Sequence, residues 1–126
     1  MPAAAAVDLR GLSILVVEDM ALVADLVAEV LQDAGCHVVG PVPRVEQGLT
    51  LARTAGLDGA LLDVNLAGEH CFPIADALTA RGVPFAFLTG YGEQVLPPAY
   101  RQVPRLTKPF NVSEMLVMVE RCFGRG

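Results

Sequence analysis

The chain has few charged side chains and almost no lysine. Charged residues make up 18% of the 126 positions, hydrophobic residues make up 53%, and the net charge is −5. A chain this apolar is not intrinsically disordered, and its acidic balance excludes the basic surface that nucleic-acid-binding proteins carry. Lys108 is the only lysine, because the other eight cationic side chains are arginines. Lys108 is therefore a candidate functional residue, because the planar guanidinium of arginine cannot imitate its compact ammonium group.

Long apolar runs and paired cysteines are also missing. Charges, glycines or prolines interrupt every apolar stretch before it reaches the length of a membrane-spanning helix. Residues 1–6 lack the cationic start of a signal peptide. Cys36, Cys71 and Cys122 are odd in number and far apart, which argues against a disulfide framework and a zinc site. We therefore expect a cytoplasmic protein with no membrane segment, whose cysteines are buried thiols.

Short apolar segments alternate with segments of helical spacing along the whole chain. A length of 126 residues suits one domain with a proper core. The predicted strands are Ser13–Val17, Cys36–Val42, Gly59–Val64, Pro84–Leu88 and Val103–Thr107. Strict alternation of strand and helix indicates parallel strands, right-handed crossovers and helices on both faces of the sheet. The predicted fold class is therefore α/β, a (βα)5 doubly wound five-stranded parallel sheet in a three-layer sandwich.

The helical segments are predicted with unequal clarity. Three of them span Met20–Ala34, Val45–Ala55 and Phe72–Arg81, and a capping box of Asn111 and Glu114 begins the last. Pro97 and Pro98 interrupt the segment between the fourth and fifth strands, and residues 65–69 are predicted to be a loop. We expect residues 1–12 to form a flexible extension and residues 13–124 to form the domain, with no room for an output domain.

Polar side chains stand at the carboxyl ends of four predicted strands: Glu18, Asp19, Asp63, Thr89 and Lys108. Ligands of open doubly wound sheets bind at this edge. Clustered carboxylates repel one another, and Mg²⁺, which prefers oxygen ligands, relieves that repulsion. A carboxylate can also attack a phosphoryl group, whose oxygens a metal, an ammonium and a hydroxyl would neutralise. The pattern therefore has the parts of an aspartyl-phosphate site.

Each of these residues also has an ordinary explanation. Asp19 could simply cap the first helix, and Asp63 could be a solvated loop residue. Thr89 and Gly90 could form a turn, and Lys108 could precede a proline without any role. Their common position at strand ends is what favours the functional interpretation.

With their neighbours, these residues resemble the motifs of a response regulator receiver domain of the CheY-like, flavodoxin-like fold. The resemblance extends from Ser13 to Phe123 and is carried by Val16–Asp19, Leu61–Asn65, Leu88–Gly90 and Lys108–Phe110. It implies that Asp63 accepts a phosphoryl group from a phosphohistidine, in a Mg²⁺-dependent reaction. The donor would be a histidine kinase or a histidine phosphotransfer protein.

The resemblance also implies a role for each site residue. Glu18 and Asp19 would organise Mg²⁺, with direct ligands from Asp19, Asp63 and the backbone carbonyl of Asn65. Thr89 would reorient toward the phosphoryl group and Lys108 would pair with it. The peptide bond between Lys108 and Pro109 is expected to be cis.

The chain departs from the family pattern at several positions. Arg105 stands where receivers usually carry the aromatic residue that reports phosphorylation, so the signal must be read differently. Residues 87–91 partly resemble the variant receivers called FATGUY, and Tyr91 either replaces that aromatic or only packs locally. Asn65 and Tyr91 occupy positions that influence how fast water removes the phosphate. The usual proline of the loop after Asp63 is replaced by Ala67.

The favoured function is a single-domain response regulator that signals through an unknown downstream protein. It would catalyse only its own phosphorylation and dephosphorylation, bind no nucleic acid or membrane, and be a monomer or a weak phosphorylation-dependent dimer. One alternative is an aspartyl-nucleophile phosphatase, which would need a second aspartate where Asn65 stands. The other is a binding module that works without phosphorylation, against which the intact acids and Lys108 argue.

Overall fold

The computed structural model describes residues 8–90 and 96–125. In chain order its elements are β1 (Ser13–Val17), α1 (Ala21–Asp33), β2 (His37–Val42), α2 (Val45–Thr54), β3 (Gly59–Asp63), β4 (Asn65–Leu66), β5 (Glu69–His70), α3 (Phe72–Ala80), β6 (Phe85–Thr89), a 3-10 turn (Pro98–Tyr100), β7 (Arg105–Thr107) and α4 (Val112–Phe123). Five strands form one parallel sheet in the order β2-β1-β3-β6-β7. The predicted fold class is confirmed.

The core lies in two layers, one on each face of the sheet. Because side chains alternate along a strand, Ile14 and Val16 of β1 pack with α1 and α4, while Leu15 and Val17 pack with α2 and α3. All five residues of β3 are buried, which explains why this central parallel strand is apolar from Gly59 to Leu62, before Asp63 at its end. Within the described ranges, no helix is both long and apolar enough to cross a bilayer.

The segment between β6 and β7 differs most from a regular (βα)5 pattern. Its described part, residues 96–104, contains one 3-10 turn instead of a fifth α-helix. Pro97 and Pro98 explain this, because neither residue can donate the backbone hydrogen bond that an α-helix interior requires. Leu96 and Tyr100 are nevertheless buried, so this irregular segment is still packed on the sheet.

The predicted loop of residues 65–69 is instead a small antiparallel hairpin. β4 pairs with β5 through Asn65 with His70 and Leu66 with Glu69. The two turn residues, Ala67 and Gly68, have φ angles of +52° and +88°, as in a type I′ turn. The sequence does not predict this hairpin, because its turn lacks the Asn-Gly or Asp-Gly pair that is typical of type I′.

The start of the described chain is packed on the domain. Leu9 and Leu12 are buried in the core layer of α1 and α4, and Asp8 and Arg125 exchange two backbone hydrogen bonds of 2.8 and 3.0 Å. The part of the expected extension at residues 1–7 lies outside the described residues. Asp8, Leu9 and Leu12, which belong to the predicted extension, therefore contact the packed domain.

Candidate functional site

Strand register brings the predicted site residues to one edge of the sheet. Val17 pairs with Leu62, and Asp63 pairs with Leu88, so the carboxyl ends of β1, β3 and β6 are level. At the end of β7, the backbone N–H of Lys108 donates to the carbonyl of Thr89 at 2.8 Å. The convergence that parallel strands predict is therefore present in the structure.

Lys108 is held between two carboxylates. Its Nζ lies 2.8 Å from Oε1 of Glu18 and 3.1 Å from Oδ2 of Asp63. Both acids are buried and the lysine side chain is 16% exposed. The peptide bond between Lys108 and Pro109 is cis, as expected. The only lysine of the chain therefore forms a largely desolvated ion pair with Asp63 and Glu18.

The acidic groups outnumber the cation that neutralises them. Carboxylate oxygens of Glu18, Asp19 and Asp63 all lie within 4.8 Å of one another. Burial is the largest cause that raises the pKa of Asp63 from 3.8 to about 7; the neighbouring Glu18 carboxyl adds to the increase, and Lys108 opposes it. The raised pKa means that a further negative charge on Asp63 is unfavourable in this pocket.

The pKa values of Lys108 and Asp19 shift in the directions that keep both side chains charged. Burial would lower the pKa of Lys108, but its contacts with Glu18 and Asp63 outweigh burial and raise that pKa above 10.5. Burial would raise the pKa of Asp19, but hydrogen bonds, first among them that from the Ala67 N–H, hold that pKa below 3.8. Lys108 is therefore a permanent cation and Asp19 a permanent anion at neutral pH.

The pocket suits a hard divalent cation. Oε1 of Glu18 is buried and, although it is close to Nζ of Lys108, no donor in the described part of the chain points at it with hydrogen-bond geometry. Added positive charge would stabilise this buried oxygen and would also favour the ionised form of Asp63. A set of clustered carboxylates beside backbone carbonyls is the ligand chemistry that Mg²⁺ prefers. The residues present therefore fit the expected metal.

Asp19 does not cap the first helix. The N-cap residue of α1 is Met20, which makes no side-chain cap hydrogen bond, and its N–H donates to Oε2 of Glu18 at 3.0 Å. Oδ2 of Asp19 instead accepts from the backbone N–H of Ala67 at 3.0 Å. Sequence reasoning missed this contact, and the absence of the usual proline at position 67 was its only signal.

Of the residues predicted to transmit phosphorylation, the structure describes Thr89 and Arg105 but not Tyr91. Thr89 is buried at the end of β6. Arg105 is exposed on β7, and its guanidinium donates to the carbonyl of Arg101 at 3.3 Å. Tyr91 lies outside the described residues, so its predicted role stays a prediction.

A buried aromatic cluster near the site was missed as well. The ring of Tyr100 lies 5.7 to 6.1 Å from the rings of Phe72, Phe85 and Phe87, and its hydroxyl donates to the carboxylate of Asp76. An isolated tyrosine after two prolines carries no periodic signal, so only the folded chain shows that it joins α3 to the sheet.

Comparisons with known proteins identify the family to which the chain is similar. A family model for the response regulator receiver domain matches residues 14–120. The chain is 37% identical to SdrG from Sphingomonas melonis Fr1, whose solution structure matches with a TM-score of 0.75 over 85% of this chain and 94% of SdrG. It is 24% identical to the receiver domain of the sensor histidine kinase PA1611 from Pseudomonas aeruginosa PAO1, with a TM-score of 0.73 over 88% of this chain and 96% of that one. That structure has a magnesium ion coordinated in its active site cleft.

The transcriptional regulatory protein PdtaR from Mycobacterium tuberculosis is a curated relative of 27% identity over 116 residues. The match covers 89% of this chain but only 57% of PdtaR. The chain therefore spans little more than half the length of this relative.

Proposed function

This chain belongs to the response regulator receiver domain family, and from that premise we propose that Asp63 accepts a phosphoryl group from a phosphohistidine. The observation that carries the proposal is the placement of the Lys108 ammonium 3.1 Å from Asp63 in a pocket with two further carboxylates. Receiver domains are signalling modules, so the phosphorylated domain would act by contact with another protein. The donor would be a histidine kinase or a histidine phosphotransfer protein.

The residues of the pocket divide the work of the transfer. An oxygen of Asp63 forms the new bond to phosphorus while the bond from phosphorus to the histidine nitrogen breaks, and that nitrogen keeps the electron pair. The Lys108 ammonium and the Thr89 hydroxyl stabilise the phosphoryl oxygens. Asp19, Asp63 and the backbone carbonyl of Asn65 would hold Mg²⁺ directly, and Glu18 would help to organise it. The cation would supply positive charge that neutralises a further phosphoryl oxygen. The magnesium ion in the active site cleft of the PA1611 receiver supports the proposal that this pocket binds Mg²⁺.

The response to phosphorylation would not use an aromatic ring at position 105. We propose that Thr89 moves toward the phosphoryl group and that Tyr91 takes part in transmitting this movement. Asn65 stands beside Asp63 and, with Tyr91, would set the lifetime of the phosphate. The domain would act in the cytoplasm, where buried thiols such as Cys36 stay reduced. It would be a monomer or a weak phosphorylation-dependent dimer.

The phosphatase alternative is not favoured by the geometry. A phosphatase of this type needs a carboxylic acid at position 65, but Asn65 is an amide whose Oδ1 accepts from the backbone N–H of Gly68 at 3.2 Å. The binding module that works without phosphorylation is disfavoured by the Lys108 ion pairs, because an ammonium 3.1 Å from Asp63 could bind an oxygen of a phosphoryl group on that residue.

One experiment tests the proposal directly. The protein is incubated with Mg²⁺ and a small acyl-phosphate donor, and its intact mass is measured. We expect the gain of one phosphoryl group in the wild type and in Asp25→Asn, which changes an exposed carboxylate of α1, but not in Asp63→Asn. No gain in the wild type, or a gain that survives Asp63→Asn, would refute the assignment. Steady release of phosphate from unrelated monoesters would favour the phosphatase instead.

A further inference from the structure

The turn of the β4–β5 hairpin is tied to the acidic pocket through one backbone group. We propose that Ala67 is a positioning residue for the metal: its N–H holds the carboxylate of Asp19, and the hairpin that it closes directs the Asn65 carbonyl to the same cation. This inference rests on the proposed function, in which the pocket binds Mg²⁺. It assigns a role to a backbone position that makes no side-chain contribution to the pocket.

The contact with the Ala67 N–H restrains the exposed side chain of Asp19. Asp19 is exposed, and its Oδ2 accepts from the Ala67 N–H at 3.0 Å. One carboxylate oxygen is thereby held, and the second is left for a cation. Hydrogen bonds that orient a metal ligand in this way raise metal affinity, because the ligand loses less freedom on binding.

The pairing of the hairpin explains the direction of the Asn65 carbonyl. A two-residue turn closes on the hydrogen-bonded pair of Leu66 and Glu69, and the next hydrogen bond runs from the Cys71 N–H to the Val64 carbonyl at 2.9 Å. Asn65 lies between them as a non-hydrogen-bonded residue, so its own N–H and C=O point away from the partner strand.

The outward side of Asn65 faces the site. Its N–H donates to Oδ1 of Asp63 at 3.2 Å, and the C=O of a strand residue leaves the backbone on the same side as its N–H. The carbonyl therefore points toward the acidic pocket. Leu66, which is buried in the core layer of α2 and α3, anchors the hairpin in this position.

A proline at position 67 would remove both parts of this arrangement. Proline has no N–H, and its φ is confined to negative values near −65°, whereas Ala67 has φ +52°. The type I′ turn and the hydrogen bond to Asp19 thus depend on the replacement of the proline that receivers usually carry here. Glycine at position 67 would keep the N–H and adopt this φ without strain.

The test is the affinity for Mg²⁺, measured on the full chain by isothermal titration calorimetry. We expect Ala67→Pro and Gly68→Val to bind Mg²⁺ about 10 to 100 times more weakly than the wild type. Ala67→Gly and Gly82→Val should bind as the wild type does. Gly82 is a matched control for Gly68, because both have positive φ and open space around a would-be Cβ. Thermal unfolding of each variant checks that it is folded.

The outcomes separate this inference from the proposed function. Wild-type affinity in folded Ala67→Pro would overturn the inference alone, whereas a wild type that binds no Mg²⁺ would overturn the proposed function with it. If the variants fail to fold, hydrogen exchange of the wild-type Ala67 amide decides. Protection of that amide, which lies at an exposed turn, supports the hydrogen bond to Asp19, and exchange at the rate of an unstructured peptide refutes it.

Discussion

Replacement of Asp63 by asparagine should stabilise the cation-free domain at alkaline pH. Asp63 as a whole residue is 3% exposed, lies beside Glu18, and has a pKa raised to about 7. Its ionised form is therefore less stable in the folded protein than in the unfolded chain. An amide keeps the shape of the carboxylate and can still accept hydrogen bonds, but it carries no charge to be buried.

The raised pKa sets the size of the effect. One pKa unit corresponds to 1.36 kcal/mol, so a change from 3.8 to about 7 corresponds to about 4 kcal/mol at a pH above both values. Lys108 remains next to Glu18 in the variant and loses one of its two partners, which removes part of this gain. We expect an increase in the free energy of unfolding of about 1 to 3 kcal/mol at pH 8.

The effect has a defined pH dependence. A carboxyl group whose pKa is raised by folding contributes stability that is present below its unfolded pKa and is lost as the pH rises through its folded pKa. Wild-type stability should therefore fall between about pH 4 and pH 7 relative to Asp63→Asn. At pH 5 the difference between the two proteins should be less than half of that at pH 8.

Urea unfolding followed by far-UV circular dichroism, in the presence of a chelator, measures these differences. Asp25→Asn makes the same chemical change at an exposed site and should alter stability by less than about 0.5 kcal/mol. Saturating Mg²⁺ should stabilise the wild type more than Asp63→Asn, because the amide is a poorer ligand. An Asp63→Asn protein less stable than the wild type at pH 8, or a difference that does not change with pH, would refute this reasoning.

Three further changes test single contacts. Lys108→Ala should still accept phosphate on Asp63 but lose most of the change in amide chemical shifts that follows phosphorylation; an equal response in both proteins would contradict the role of the ammonium. Tyr100→Phe removes the hydrogen bond to the exposed Asp76 while keeping the ring, and should lower the free energy of unfolding by about 0.5 to 1.5 kcal/mol; an unchanged urea midpoint would contradict this. Gly59→Ala would bring a Cβ into steric clash with the Phe123 ring and should cost about 1 to 3 kcal/mol, whereas Gly56→Ala, with open space around its Cβ, should be close to neutral.

Much of the fold follows from local patterns in the chain. The predicted strand ends differ from the observed ones by one or two residues, as at Gly59–Val64 against Gly59–Asp63, because the last residue of a strand is decided by pairing rather than by its own side chain. The capping box of Asn111 and Glu114 is observed with both hydrogen bonds. It was predictable because each of its contacts spans only three residues.

The parts that sequence reasoning missed all depend on contacts between distant residues. Ala67 carries no side-chain signal, yet its N–H reaches Asp19 across 48 positions. Tyr100 follows two prolines without periodicity, and only the packed chain places it among three phenylalanines. Leu9 precedes the first strand and looked like part of a flexible extension, but it is buried beneath α1 and α4.

The sequence by itself determined that this is a doubly wound α/β receiver domain with its acids and its single lysine at one edge. It could do so because side-chain periodicity specifies strands and helices, and because parallel strands must end on the same side of their sheet. Only the tertiary structure decided that Lys108 lies between Glu18 and Asp63, that the pKa of Asp63 is about 7, and that a hairpin holds Asp19. The physical reason is that desolvation and electrostatic interaction depend on distances and burial between residues far apart in the chain.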